Sequence, residues 1–169
     1  MKDFKNKVVA ITGAGSGMGR VYAIEFGKLG AKLALADWNE ANLLETKQLV
    51  QDLGVTEVFT KAFDVSVESE VFQFAEAVKS TLGNTHIIIN NAGIAKGGGP
   101  FIYGDGKIFQ KVIEVNLFGV IYGCRAFLPQ LVENNEGAVV NVSSVASLIG
   151  APGAIAYNTS KFAVRGFTE

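Results

Sequence analysis

Short apolar runs and helix-like segments alternate along the chain. The run "KVVAIT" at 7–12 is apolar and β-branched without alternation, which predicts a strand buried on both faces. Apolar residues at helical spacing follow at 20–29, and Gly30 is well placed to end that helix. The run "KLALAD" at 32–37 predicts a second strand. The chain therefore begins with the order strand, helix, strand.

The same alternation continues to the last residue. Further strands are predicted by "EVFTKAFD", "HIIIN" and "GAVVNVS" at 57–64, 86–90 and 137–143. The remaining predicted helices run from an Asn39 cap to Leu53, from a Ser66 cap to about Leu82, from 107 to about 132, and after the loop 144–153. Five strands alternating with helices predict one α/β domain, 1–169, with a parallel sheet covered on both faces.

Composition narrows the class of protein. Apolar residues make up 49% of the 169 and charged residues 18%, which is typical of a folded domain. The net charge of -1 provides no attraction to nucleic acid or an anionic membrane. A single cysteine, Cys124, excludes an internal disulfide, and we find neither a signal peptide nor a stretch as long as a membrane span. We therefore expect a cytoplasmic protein without a nucleic-acid partner, a membrane partner or a metal site.

A glycine-rich loop, "TGAGSGMG" at 12–19, joins the first strand to the first helix. Gly13, Gly17 and Gly19 have the spacing GxxxGxG, which differs from a strict GxGxxG because position 18 is Met. Glycines allow a tight turn and let a pyrophosphate approach the backbone, while the helix N-terminus presents free N–H groups to the anion. The alternative is an ordinary glycine-rich turn. The position of the loop directly after the first strand favours dinucleotide binding over an ordinary turn.

Asp37 ends the second predicted strand, 18 residues after Gly19. An acid at this position would bind the adenosine ribose 2′-OH and repel a 2′-phosphate, so it favours NAD over NADP. The alternative role is a helix cap, which Asn39 already provides. For Trp38 two roles stay open: it lies beside the adenine, or it covers the edge of the sheet.

Five segments in this order resemble the short-chain dehydrogenase/reductase family. They are TGxxxGxG at 12–19, Asp64-Val65, NNAG at 90–93, Asn116 in "EVNLFGV", and Ser144 followed by Tyr157 and Lys161 as YxxxK. The resemblance covers the whole chain and implies a Rossmann-type, doubly wound parallel sheet that binds NAD. It also implies these cofactor-binding residues: Gly13, Ser16, Gly17, Met18, Gly19, Asp37, Trp38, Asp64, Val65, Asn91, Ala92, Gly93, Tyr157 and Lys161.

The resemblance implies hydride transfer between NAD and a small secondary alcohol or ketone. Tyr157 and Lys161 are four residues apart, which places both on one face of a helix. Tyr157 would be the acid/base. A phenol is a weak acid, so the positive charge of Lys161 would help to stabilise the phenolate. Ser144 would hold the substrate oxygen, and Asn116 a water that links Lys161 to solvent.

A second hypothesis is a dinucleotide-binding sensor or interaction module without turnover. The intact Ser144, Tyr157 and Lys161 argue against it. His86 and Cys124 are interpreted as structural, since one starts a strand and the other lies in an apolar helix.

Members of the family continue past the final helix with two more strands, a Pro-Gly loop at the nicotinamide and a lid over the substrate. We therefore expect the 169 residues to be part of a longer chain, able to hold the adenosine half of NAD but without turnover alone. The helix 107–132 and the final helix resemble those that pair subunits, which implies a homo-oligomer, a tetramer or dimer. The loops 94–105 and 145–155 indicate a mostly apolar substrate pocket.

Overall fold

A computed structural model describes residues 3–169 and contains one five-stranded sheet in the order β3-β2-β1-β4-β5. The strands are β1 (Val8–Thr12), β2 (Lys32–Asp37), β3 (Val58–Ala62), β4 (Ile87–Asn90) and β5 (Ala138–Asn141). All neighbouring strands are parallel. The predicted parallel α/β sheet is therefore confirmed.

The helices lie between the strands in the chain. They are α1 (Gly17–Lys28), α2 (Glu40–Asp52), α3 (Glu68–Leu82), α4 (Gly106–Ile113), α5 (Gly119–Glu133) and α6 (Ile155–Thr168). A π-helical turn, Glu114–Phe118, joins α4 to α5, and short 3-10 helices lie at Phe101–Tyr103 and Val145–Ser147. Because β1 pairs with β2 on one side and β4 on the other, the strand order reverses there. The carboxyl ends of β1 and β4 therefore flank a crevice of the kind that binds ligands in such sheets.

The alternation of side chains along each strand separates two cores. Val9 and Ile11 of β1 pack with α1 and α2 on one face of the sheet. Val8 and Ala10 pack on the other face, with α3 and α5. The continuous apolar strands seen in the sequence follow from this burial on both faces.

One predicted helix cap is confirmed and the other is wrong. Asn39 caps α2, and its Oδ1 accepts a hydrogen bond from the N–H of Asn42 at 3.0 Å. Ser66 does not cap α3, which begins at Glu68 after Val67. The N–H and hydroxyl of Ser66 both donate to Asp64 Oδ1 instead, at 2.9 and 2.8 Å, because a carboxylate two residues away is a strong local acceptor.

The predicted strands 57–64 and 137–143 are shorter in the structure, at 58–62 and 138–141. Among the described residues β5 pairs only with β4, so it is an edge strand. Val140 of this strand is exposed and Val139 is half-buried, so β5 is less buried than the central strands.

One long apolar helix contradicts the prediction that no stretch of the chain is as long as a membrane span. The segment Gly106–Glu133 is helical over 28 residues with a mean hydropathy of 1.3, so it is long and apolar enough to cross a membrane. The statement that no stretch approaches that length is therefore wrong. Half of its most apolar window is buried inside the protein, and the core helices of soluble proteins meet the same two criteria. Length and composition alone thus do not identify a membrane span here.

His86 and Cys124 have structural surroundings. His86 Nδ1 accepts a hydrogen bond from the N–H of Val8 at 3.2 Å, which fixes the start of β4 beside β1. Cys124 is buried in α5, with its Sγ 3.5 Å from Asn141 Oδ1. Burial raises the pKa of the Cys124 thiol above its ordinary value, against the effect of this contact.

Native Cys124 is expected to react with a thiol reagent such as DTNB at least roughly tenfold more slowly than in the unfolded chain. The reason is that burial both shields the sulfur and disfavours the thiolate. Stopped-flow labelling with and without urea measures the ratio. Equal rates in the two states would contradict the buried assignment.

Candidate functional site

A cleft of about 980 Å³ runs along the carboxyl ends of the strands at the reversal point. The predicted cofactor residues that line it are Gly13, Ser16, Gly17, Met18, Asp37, Trp38, Asp64, Val65, Asn91, Ala92 and Gly93. Three other predicted cofactor residues, Gly19, Tyr157 and Lys161, do not belong to its lining. The structure thus gathers residues from four strand ends into one elongated cavity, large enough for a drug-sized ligand.

Close packing explains two of the loop glycines. A Cβ at Gly19 would lie 2.0 Å from the carbonyl oxygen of Gly13, so a side chain at Gly19 would separate α1 from the loop. Gly13 has φ +66°, and a Cβ there would lie 2.8 Å from the Cα of Ala92. Gly19 is therefore a packing residue behind the loop rather than part of the cleft surface.

The N-terminus of α1 opens onto the cleft. Ser16 and Gly17 are exposed at its start, and Gly17 has φ +51° with open space where a Cβ would be. Within residues 3–169 no side chain caps this helix. Its first N–H groups are therefore free to bind an anion that lies in the cleft.

Asp37 is buried at the end of β2, and backbone N–H groups hold its carboxylate. Oδ2 accepts from Gly15 at 2.8 Å and Oδ1 accepts from Asn39 at 2.9 Å. A Cβ at Gly15 would lie 2.9 Å from Asp37 Cγ, so only glycine leaves room for this contact. Trp38 also lines the cleft and is 78% exposed. This placement is compatible with the predicted role beside the ligand.

Thr12 connects the two strand ends that flank the crevice, a role that sequence reasoning missed. Its hydroxyl oxygen accepts from the N–H groups of Asn91 and Ala92, both at 3.1 Å. The Asn91 side chain donates in return to the carbonyls of Thr12 and Gly13, at 3.0 and 3.2 Å. The glycine loop and the NNAG segment are therefore one hydrogen-bonded unit. The available sequence signal was the Thr that opens the glycine motif.

Lys111 of α4 is a second residue that the sequence analysis missed. Its Nζ lies 2.7 Å from Asp64 Oδ2 and 2.8 Å from Ser66 Oγ, at the rim of the cleft. Burial opposes ionisation of Asp64, but the hydrogen bonds from Lys111 and Ser66 outweigh it, so the pKa of Asp64 falls below its ordinary value. The loop after β3 is thus fastened to α4. No local pattern reveals a contact between residues so far apart in the chain.

Lys161 lies at the Gly93 end of the cleft and is only 4% exposed. Its Nζ donates to the carbonyl oxygen of Val142 at 2.8 Å, and burial lowers the pKa of the ammonium below its ordinary value. A Cβ added at Gly93 would lie 3.7 Å from Lys161 Nζ and 3.3 Å from Asn116 Oδ1. Both polar groups therefore face Gly93, which lines the cleft.

Asn116 is fully buried in the π-helical turn. Its Oδ1 accepts from the N–H of Ile94 at 2.7 Å, and its Nδ2 donates to the Ile94 carbonyl and to Ser160 Oγ, at 2.9 and 3.0 Å. The side chain thereby fastens the segment after β4 to α6. Single π turns inside α-helices are frequent at functional sites.

Of the other two predicted catalytic residues, Tyr157 lies close to Lys161, and Ser144 adjoins a residue that contacts the Lys161 backbone. The ring centroid of Tyr157 is 5.7 Å from Lys161 Nζ, one turn away on α6. Ser144 directly follows the segment after β5, and its Oγ accepts from the N–H of Ala146 at 3.1 Å. The neighbouring Ser143 donates to the Lys161 carbonyl at 3.0 Å, which fastens this segment to α6.

Comparison with known proteins gives matches over almost the whole chain. Residues 7–169 match the family model described as short chain dehydrogenase. The chain is 43% identical over 169 residues to SadH of Mycobacterium tuberculosis, of which it covers 60%. It is 41% identical over 168 residues to epidermal retinol dehydrogenase 2 of Mus musculus, covering 99% of this chain and 54% of that relative.

A solved structure shows the same fold. A short chain dehydrogenase/reductase from Burkholderia phymatum, in complex with NAD, is 39% identical with a TM-score of 0.95, and the match covers 99% of this chain and 59% of that one. The chain therefore spans between about half and two thirds of the length of these relatives. With the family model matched from residue 7 to residue 169, the chain belongs to the short chain dehydrogenase family.

Proposed function

We propose that the whole protein is an NAD-dependent oxidoreductase that transfers a hydride between NAD(H) and a secondary alcohol or ketone. The observation that carries the proposal is the convergence of Lys161 Nζ and Asn116 Oδ1 on Gly93, at one end of a dinucleotide-sized cleft. Redox chemistry requires the nicotinamide at that end, which leaves the end beside Asp37 for the adenosine.

The residues present fit NAD. The open N-terminus of α1 and Gly17 suit a pyrophosphate, since free N–H groups face it and no Cβ intervenes. The Asp37 carboxylate is already oriented by two N–H groups and keeps lone pairs for a ribose hydroxyl. The NAD found in the Burkholderia phymatum relative supports the same choice.

NAD, when bound, would accept or donate the hydride, and the chain's own residues would move the proton. We assign the acid/base role to the Tyr157 hydroxyl, which would exchange a proton with the substrate oxygen. Ser144 Oγ would donate a hydrogen bond to that oxygen, and the Lys161 ammonium, 5.7 Å from the Tyr157 ring, would stabilise the phenolate. Such acid/base assistance contributes about 10²–10⁴ in rate.

The burial of Lys161 favours turnover over a binding module without turnover. An ammonium removed from water is destabilised unless it is well paired, and among the described residues Lys161 Nζ has one hydrogen-bond acceptor, the Val142 carbonyl, besides the Tyr157 ring. Dinucleotide binding alone would not require this ammonium to lie beside the Tyr157 ring. Proton transfer beside Tyr157 provides a reason for it.

The test uses the whole protein. Calorimetry measures NAD binding, and NADH absorbance measures turnover with a panel of secondary alcohols. We expect both binding and turnover. Binding of NAD without turnover of any alcohol or ketone in the panel would instead support the sensor or interaction module.

The whole protein is also expected to be a homo-oligomer, a dimer or tetramer, in the cytoplasm. Apolar side chains on the outer faces of α5 and α6 support this proposal, since Leu128, Val132, Phe162 and Phe167 are exposed in the single chain. Sedimentation velocity at micromolar concentration should give a species of two or four chains. A purely monomeric profile would contradict it.

A further inference from the structure

A second cavity, of about 710 Å³, is bounded on one side by the start of α6, the helix that carries the proposed acid/base. Its walls come from the segment 96–109 and from Gly153, Ile155 and Ala156, the last two of which immediately precede Tyr157 in α6. Lys96 lines both this cavity and the cofactor cleft. The two spaces therefore adjoin at Lys96.

The side chains around this cavity are mostly hydrocarbon. Phe101, Ile102, Ile108, Phe109 and Ile155 line it, and the Phe101 and Phe109 rings pack edge to face at 6.5 Å. The Tyr103 hydroxyl is the one uncharged polar side-chain group in the lining. Only two charged residues join them among the lining residues, namely Lys96 and Asp105. The Asp105 carboxylate is already engaged, because it accepts from the N–H of Lys107 at 2.8 Å and caps α4.

Glycines keep the cavity open. Gly97, Gly99 and Gly153 all have positive φ, between +76° and +96°, so replacement by another residue would strain the backbone. A Cβ at Gly97 would lie 3.0 Å from Ile108, and one at Gly153 would lie 3.3 Å from the nitrogen of Gly99. The two loops thus approach backbone to backbone, and the space between the aliphatic walls stays free of side chains.

We infer that the alcohol or ketone oxidised or reduced by this protein is uncharged and has a mainly hydrocarbon body. This inference rests on the proposed function, because it assigns the second cavity to that function's substrate. A polyol would lose its hydrogen bonds to water here without enough polar side chains to replace them, whereas a hydrocarbon body gains from leaving water. For a substrate carboxylate, the lining offers one cationic side chain, Lys96, which also lines the cofactor cleft.

Binding is measured separately from turnover to test the inference. Calorimetry on the whole protein saturated with NADH allows an alcohol to bind without being oxidised. Menthol represents the apolar class and xylitol the polyol class. We expect menthol to bind at least about tenfold more tightly. Equal binding, or tighter binding of xylitol, would overturn the inference.

A pair of variants localises the effect. Ile102→Asn puts a polar group on the cavity wall at a residue that is 82% exposed, so folding should tolerate it. It should weaken menthol binding at least about threefold and leave NADH binding unchanged. Leu44→Asn is the matched control, since Leu44 is a 50% exposed aliphatic residue on α2 that lines neither cavity. Equal menthol affinity in both variants would place the alcohol elsewhere and overturn the inference.

The two proposals fail in different ways. Tight menthol binding without turnover of menthol, xylitol or isopropanol with NAD would refute the proposed function and leave the cavity assignment intact. Turnover of isopropanol and xylitol, with no preference for menthol in binding, would support the oxidoreductase and refute the apolar substrate class.

Discussion

Tyr157→Phe is expected to lower kcat of the whole protein by at least about 10²-fold and to leave NAD affinity nearly unchanged. The substitution removes only the hydroxyl, so the ring beside Lys161 stays in place. Without that hydroxyl no group at this position exchanges a proton with the substrate oxygen. Initial rates with a secondary alcohol, together with calorimetric NAD titration, measure the two quantities.

Two variants serve as comparisons. Tyr122→Phe removes the same atom from a half-buried tyrosine on α5 outside both cavities, and it should retain near-normal kcat. Lys161→Ala should reduce both turnover and NAD affinity, because its ammonium faces the Gly93 end of the cleft. If Tyr157→Phe turned over substrate as fast as Tyr122→Phe, the assignment of the acid/base would be wrong.

NAD is expected to bind at least about tenfold more tightly than NADP. The reason is the placement of the Asp37 carboxylate, which two backbone N–H groups hold at the cleft and which would repel an added 2′-phosphate. Because Gly15 and Asn39 orient the carboxylate before any ligand binds, it cannot swing aside without losing both hydrogen bonds. Calorimetric titration of both dinucleotides gives the ratio.

Asp37→Ala should narrow that ratio of affinities, because it should weaken the binding of NAD and strengthen the binding of NADP. Asp52→Asn is a suitable control, because Asp52 lies at the exposed end of α2 and accepts from Gln48 rather than from the loop. It should leave the ratio as in the wild type. Equal affinities of the unmodified protein for NAD and NADP would remove the role assigned to Asp37.

The local features of the fold were predictable because their causes lie within a few residues. Strands such as β1 and β2 are buried on both faces, so they are apolar without a break, and this is visible in the sequence. The Asn39 cap depends on an acceptor three residues from its donor. The Ser66 cap failed for a reason almost as local, since the Ser66 N–H and hydroxyl both donate to Asp64.

The alternation of strands and helices, the glycine loop and the spacing of Tyr157 and Lys161 were visible in the sequence, since each depends on neighbours along the chain. Which distant groups meet depends on how the elements pack. Lys111 reaches Asp64 across 47 positions, and Thr12 reaches Asn91 across 79. The burial of Lys161 likewise follows from packing between α6 and the end of β5, where its Nζ meets the Val142 carbonyl. Such contacts depend on strand order and helix packing, which no local pattern encodes.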